Sequence, residues 1–297
     1  MKIVITGASG FVGINLHDYL HTSHTVSPIS VRYLPNQQFE LNADAIIHLA
    51  GKVHDLQKVS RPQDYYEANL ELTKQLFNSF LLSNSSVFIF MSTVKAVADI
   101  VEGQLTEDEI PNPKTLYGMT KQQAEKYILS QELPYGKRVY ILRPCMIHGP
   151  ENKGNLNLLY QVVSKGLPWP LGDFKNERSF LSIENLCFVI KELVENAVIP
   201  SGIYQVSDNL SLSTTELIQL IGISLGKKHR IFNIPSFWIK GVAKLGDLLH
   251  LPLNSERLQK LTENYVISNQ KIVTAIGKSL PIGSKEGLLK TFQSFKK

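Results

Sequence analysis

Cysteine is scarce in this sequence of 297 residues: Cys145 and Cys187 are the only two, and neither belongs to a CxxC or Cys/His spacing. A disulfide framework and a zinc site both lack ligands, and a reducing compartment, the cytoplasm, fits such usage best. Long apolar runs are missing too. No stretch approaches the ~18 consecutive apolar residues of a membrane span, and no basic segment followed by an apolar one precedes the first structured element. Neither a secretion signal nor an integral membrane contact is expected. Charge of one sign is modest, the formal net charge being +5, and the densest basic cluster, Lys227-Lys228-His229-Arg230, is short. It reads as a solvated loop, and with no basic face interleaved with aromatics, nucleic acid is not expected as a partner.

What is present is enough apolar residue, 43% of the chain, for a substantial core. It is arranged in alternation. Lys2-Ile3-Val4-Ile5-Thr6 is a β-branched run, followed by a glycine turn and helical spacing at Ile14, Leu16, Tyr19 and Leu20. Ala45 to Ala50 reads as a buried strand, Asn69, Leu72, Leu76 and Phe80 as a helix, and Val87 to Met91 as the next strand. Tyr117 to Leu129 then reads as a helix and Val139 to Leu142 as a strand. Strands alternating with helices predict an α/β fold of Rossmann type, a doubly wound parallel sheet whose ligands bind at the carboxyl ends of the strands. After Pro144 the alternation weakens, and the spacing from Ser213 onward is mainly helical. The expected division is a dinucleotide-binding domain of residues 1–150 plus about 178–208, and a smaller, mainly helical substrate-binding domain of about 151–177 plus 209–297. The amphipathic stretch 237–251 carries Lys240 and Lys244 among apolar residues that read as packing on the core.

Gly7, Gly10 and Gly13 lie between the first strand and the first helix, where a tight turn must let backbone approach a pyrophosphate and aim helix N–H groups at it. The second strand, around Val26 to Arg32, offers no carboxylate for a ribose 2′-hydroxyl. Arg32 instead suits a 2′-phosphate, which favours NADP(H) slightly over NAD(H). Too few residues separate Arg32 from the strand near Asp44 for the usual loop, helix and loop, so this crossover is abbreviated. Further on, Tyr117 and Lys121 stand four residues apart, on one face of a helix. A phenol that exchanges a proton near neutrality needs a neighbouring cation to lower its pKa. Thr93, just after a strand ending at Met91, can bond the reacting oxygen alongside Tyr117; Ser92 is the alternative hydroxyl.

Gly-x-x-Gly-x-x-Gly flanked by Thr6 and Phe11-Val12, with Tyr117-x-x-x-Lys121, resembles the extended short-chain dehydrogenase/reductase group, the NAD-dependent epimerase/dehydratase family. The resemblance extends over nearly the whole chain. It implies cofactor contacts from Gly7, Ser9, Gly10, Phe11, Val12 and Gly13. It also places Leu41 and Asn42 near adenine, Leu49, Ala50 and Gly51 near pyrophosphate and ribose, and Pro144 and Met146 near nicotinamide. Tyr66-x-x-Asn69-x-x-x-Thr73 matches a pattern whose asparagine supports the active-site strand ends, and Tyr117 and Lys121 reach the cofactor as well. Arg178 to Asn185 resembles a segment whose arginine contacts the substrate diphosphate. Lys95, Lys153 and Asn155 are further candidate substrate contacts. The wording around Thr93-Val94-Lys95, Lys153-Gly154-Asn155 and Lys165-Gly166-Leu167-Pro168 is most similar to bacterial enzymes that modify UDP-N-acetylhexosamines, some reducing a 4-keto-6-deoxy sugar and others epimerising C4. A UDP-linked sugar is then the substrate, and relatives imply a homodimer through the Asn69 and Tyr117 helices. A dinucleotide-binding regulatory protein without chemistry is the reading of another class; retention of both Tyr117 and Lys121 weighs against it.

Overall fold

Strands that are covered on both faces carry consecutive apolar residues, not alternate ones, and three segments of this chain show such runs in their interior. In the computed structural model, which describes residues 1–53, 61–152, 154–166, 168–227, 230–249 and 254–296, these are β1 (Lys2–Thr6) and the strands numbered β3 and β4 below. From β1 the chain passes through the glycine turn into α1 (Phe11–Leu20), then β2 (Thr25–Ile29) and β3 (Ala45–His48). α2 (Pro62–Tyr65) runs through a π-helical turn, Tyr66–Glu71, into α3 (Leu72–Leu82). β4 (Val87–Met91), the short β5 (Gln104–Leu105), α4 (Leu116–Leu129), β6 (Arg138–Pro144) and β7 (Met146–His148) follow. The remainder comprises α5 (Asn155–Ser164), β8 (Phe180–Ser182), α6 (Ile183–Glu195), β9 (Gly202–Val206), α7 (Thr214–Leu225), α8 (Ser236–Leu249), α9 (Ser255–Thr262), β10 (Val266–Ile267), α10 (Gln270–Ile276) and α11 (Ser284–Ser294).

Six strands form one parallel sheet in the order β2-β1-β3-β4-β6-β9. The predicted Rossmann-type, doubly wound α/β architecture is the one observed. The chain reverses its winding between β1 and β3, which is where such sheets open a crevice at their carboxyl ends. β2 is an edge strand and tolerates Pro28, because a proline there removes no bond from a second neighbour. Buried residues of α1 and α6 pack on one face of the sheet, and those of α3 and α4 on the other. A separate core is built from α5, α7, α8, α9 and α11 around Leu156, Ile218, Leu258, Leu288 and Phe292. Ile272 and Ile276 of α10 belong instead to the core against the sheet, so the last helices do not all share one core as the helical spacing suggested.

Two expectations are corrected. As the short crossover implied, residues 30–44 form no helix; they run back across α3, where Phe39 N donates to Ser79 Oγ and Gln75 Nε2 to the Leu34 carbonyl. Lacking a helix to return it, the chain has reached the amino ends of the strands by Asp44, whose N–H bonds the Lys2 carbonyl. Leu41 and Asn42 therefore line an open groove of about 1130 Å³ with Lys2, Asp44 and Asn84, at the opposite end of the sheet from the glycine turn and out of place for an adenine contact. The second correction concerns α8. Ile239 and Ala243 are buried, but Phe237, Trp238, Val242, Leu245, Leu248 and Leu249 face outward, so most of the apolar side chains of this helix do not pack on the core.

Cys145 and Cys187 are free and buried, and burial pushes both thiols up, Cys187 to about 12. The native protein is expected to show no thiol reactive toward an aromatic disulfide reagent at neutral pH and two after denaturation; a fast-reacting thiol in the native state would contradict this placement.

Candidate active site

Gly7 has a φ of +69°, in the left-handed region, and a Cβ on it would stand 2.7 Å from the Ala50 amide nitrogen. At Gly13 a Cβ would stand 2.4 Å from the Gly7 carbonyl oxygen. Both glycines are required by backbone packed on backbone. Gly10 differs: only the Gly7 oxygen lies near its Cβ position, at 3.4 Å, and it caps α1 with no side chain over the helix N-terminus. The first-turn N–H groups are thus left facing an exposed Ser9-Gly10 edge, a cradle that suits a pyrophosphate. Phe11 and Val12 are part-buried and pack against the sheet core, fixing the turn from beneath.

Across the crevice, Thr115 caps α4 by accepting a bond from Gly118 N, which starts the helix just before Tyr117. Gly118 allows a close approach. A Cβ there would stand 2.3 Å from the Lys95 carbonyl oxygen, so α4 rests on the short 3₁₀ turn Val94–Ala96 that follows β4. Tyr117 is thereby brought to Thr93, whose hydroxyl hydrogen-bonds the phenol. Lys121 is buried, donates to the Met91 carbonyl at 2.8 Å and lies 4.6 Å from the Phe90 ring centre. Thr93, Tyr117 and Lys121 are brought together as the sequence suggested, but the electrostatics differ from expectation. Burial pushes the Tyr117 phenol up to about 12 despite the bond from Thr93, and burial brings the Lys121 ammonium down to about 8. The cation does not reverse the desolvation of the phenol; its own solvent has been replaced by one carbonyl and a ring face.

Ser92 has a different task. Its hydroxyl bonds Glu125, which is clasped by Arg143 through Nε at 3.0 Å and Nη2 at 2.6 Å, all within the buried core. Thr93 is thus the hydroxyl that faces Tyr117, while Ser92 joins β4, α4 and β6. Sequence reading missed the pair of Glu125 on α4 and Arg143 on β6; the signal for Arg143 was a charge near the end of an otherwise apolar strand. It also missed His48, which lies fully buried between Thr6 Oγ1 at 2.8 Å and Thr73 Oγ1 at 3.0 Å, and is held neutral by burial, with its pKa down to about 3. Asn69 sits in the π-helical turn, donates to Thr120 Oγ1 at 3.1 Å and accepts from Lys52 N at 2.7 Å. A Cβ on Gly51 would stand 2.8 Å from Asn69 Oδ1 and 3.1 Å from Lys121 Nζ. Leu49, Ala50 and Gly51 therefore form the floor between the glycine turn and Lys121.

Met146, Asn155 and Arg178 line one cavity of about 470 Å³ with Trp169, Leu217 and Lys260, between β7 and the helical core. Pro144 ends β6, next to the crevice. Arg178 donates to the Lys260 carbonyl at 2.6 Å and lies 3.4 Å from Glu263, so its guanidinium is already partly engaged. Lys95 reaches the Asp99 carbonyl and stands 4.3 Å over the Tyr265 ring. Burial draws its ammonium downward. Arg32 lies exposed just beyond the carboxyl end of β2, with no hydrogen-bond or ion-pair partner among the described residues. Lys153 falls outside the described residues.

A parallel sheet with a bare glycine turn after β1, and a phenol, hydroxyl and ammonium at the same edge, defines a dinucleotide-dependent oxidoreductase. A family model described as the NAD dependent epimerase/dehydratase family matches residues 3–207. The chain belongs to that family and is an NAD(P)-dependent extended short-chain dehydrogenase/reductase. It is 28% identical to the UDP-glucose 4-epimerase of Vibrio cholerae, in an alignment covering 99% of this chain and 95% of that protein. The fold is shared with RMD from Pseudomonas aeruginosa complexed with NADPH, at a TM-score of 0.74, 21% identity and full coverage of both chains. It is shared also with UDP-glucuronic acid 4-epimerase from Bacillus cereus in complex with NAD, at a TM-score of 0.76 and 19% identity, covering 100% of this chain and 99% of that one. Among the described residues no helix is long and apolar enough to cross a membrane, and no cluster of metal-ligating side chains occurs.

Ser92→Ala leaves the buried Glu125 carboxylate one donor short and is expected to lower stability by about 1–3 kcal/mol, measured by denaturant unfolding. An unchanged midpoint would show that the Ser92 bond contributes nothing.

Proposed function

We propose that this enzyme is an NADP(H)-dependent reductase that converts the C4 ketone of a UDP-linked 4-keto-6-deoxy-N-acetylhexosamine to the alcohol. The observation that carries this reading is the Tyr117 phenol bonded to Thr93 beside Lys121, at the edge of a sheet whose β2 leads to Arg32 and to no carboxylate. Gly7, Gly10 and Gly13 would hold the pyrophosphate against the α1 N-terminus, and Arg32 would bond the 2′-phosphate. When bound there, NADPH would supply the hydride that adds to sugar C4.

Tyr117, fully protonated at neutral pH with a pKa of about 12, donates the proton from its Oη to the C4 ketone oxygen as the alcohol forms. Thr93 donates a hydrogen bond to the same oxygen and holds it in place while negative charge develops. Lys121, with a pKa of about 8, is mainly an ammonium at neutral pH and stabilises the phenolate that Tyr117 leaves, which solvent then reprotonates. Arg178 and Asn155, with Lys95 and Lys153, bind the diphosphate and sugar of the substrate.

A second reading, a UDP-hexose or UDP-hexosamine 4-epimerase with retained NAD, is favoured by the full-length likeness to the Vibrio cholerae UDP-glucose 4-epimerase. It uses the same triad at the same carbon. The two readings separate on the cofactor: the reductase oxidises NADPH stoichiometrically with a UDP-4-keto-hexosamine. The epimerase interconverts C4 epimers with no added nucleotide, and that outcome would replace the first reading. Under the reductase reading Tyr117→Phe is expected to lower kcat about a hundredfold or more. Arg32→Ala is expected to raise KM for NADPH about tenfold, with little change for NADH. Equal effects on both cofactors would remove Arg32 from the 2′-phosphate site.

A further inference from the structure

One helix of the second core has an apolar face on each side. Through Ile239, Ala243 and Gly246, α8 packs on the helical core. At 100° per residue the opposite face carries Phe237, Trp238, Val242, Leu245, Leu248 and Leu249, all exposed, with Trp238 at 62% and Leu248 at 75%. Phe232 and Ile234, in the segment that enters the helix, are exposed as well. Exposed apolar groups of this size and contiguity mark a surface that is covered in use.

The charges on the helix say by what. Lys240 and Lys244 lie along one flank of the exposed face, at its boundary with solvent, and neither has an ion-pair or hydrogen-bond partner among the described residues. Asp247, the single acid of the helix, stands on the same flank but is engaged, accepting from Ser255 N at 2.9 Å and from Ser255 Oγ at 2.5 Å. An apolar face with an adjacent aromatic pair, edged by free ammonium groups and lacking free carboxylates, complements an anionic lipid surface. The 14 residues of α8 span about 21 Å, too short for the ~30 Å hydrocarbon core of a bilayer, so the helix fits a bilayer interface lengthwise and does not cross it.

We propose that α8 is an interfacial membrane-binding helix, which inserts Phe237, Trp238 and Leu245 among acyl chains and sets Lys240 and Lys244 against anionic headgroups. The enzyme would then work on the bilayer surface, with its second core held to lipid. Backbone bonds connect that surface with the 470 Å³ cavity: Trp169, which lines the cavity, accepts from Phe232 N and donates to the Arg230 carbonyl, in the segment that enters α8.

The sequence has two tryptophans, of which Trp169 is buried and Trp238 exposed, so emission on adding lipid reports α8. With the full chain, vesicles of phosphatidylcholine containing about one-third phosphatidylglycerol are expected to shift the emission to the blue and carry the protein in flotation, and phosphatidylcholine alone to do so far less. Trp238→Ser removes the blue shift. Lys240→Gln with Lys244→Gln weakens flotation about thirtyfold, and Leu245→Ser weakens it further, while dinucleotide binding stays intact in each as the check on folding. Absence of both shift and flotation with the anionic vesicles overturns the proposal. So does concentration-dependent self-association that Leu245→Ser abolishes, since the occupant would then be a second copy of this chain.

Discussion

A single line of hydrogen bonds ties the glycine turn to the helix of Tyr117 and Lys121, and the rest of the site is arranged around it. Ala50 N donates to Thr6 Oγ1, which bonds His48 Nδ1; His48 Nε2 bonds Thr73 Oγ1, and Thr73 donates to the Asn69 carbonyl. Since each hydroxyl gives its one proton onward, the ring is a neutral imidazole with its proton on Nε2. The side chain of Asn69 continues the line to Thr120 on α4. Burial of apolar surface drives the assembly of the sheet and its helices but carries no direction. These bonds do, and with the His48 pKa down to about 3 the proton pattern does not change across the pH range of ordinary enzymes.

Glu125 and Arg143 give α4 its second anchor. A carboxylate buried beside a guanidinium is costly to desolvate, and removing either partner costs more than the pair returns, which makes the arrangement specific to one seating of α4 on β4 and β6. Gly118 gives the third, by letting backbone meet backbone at Lys95. Three contacts of different chemistry thus place Tyr117 and Thr93 together over a floor made by Leu49, Ala50 and Gly51.

The parts legible in the sequence are those whose partners are close along the chain. Gly7, Gly10 and Gly13 share one turn, Tyr117 and Lys121 one helical face, and the inner strands β1, β3, β4 and β6 announced themselves as short apolar runs, which the exposed edge strand β2 did not. The missed parts join residues 18 to 51 positions apart: Arg143 with Glu125, His48 with Thr6 and Thr73, and Asn69 with Thr120. Leu41 and Asn42 went to the wrong end of the sheet because a shortened crossover shows in residue count but its path does not. In α8 the periodicity gives two apolar faces, and nothing in the spacing says which of them the core covers.

We propose that hydride moves at this edge of the sheet to C4 of a nucleotide-linked sugar. That transfer is tested most directly by supplying NADPH deuterated at the nicotinamide C4 with a UDP-4-keto-6-deoxy-N-acetylhexosamine and locating the label in the product by nuclear magnetic resonance. Deuterium at sugar C4 is the predicted result. Its absence from the sugar, or its appearance at another carbon, would contradict the account.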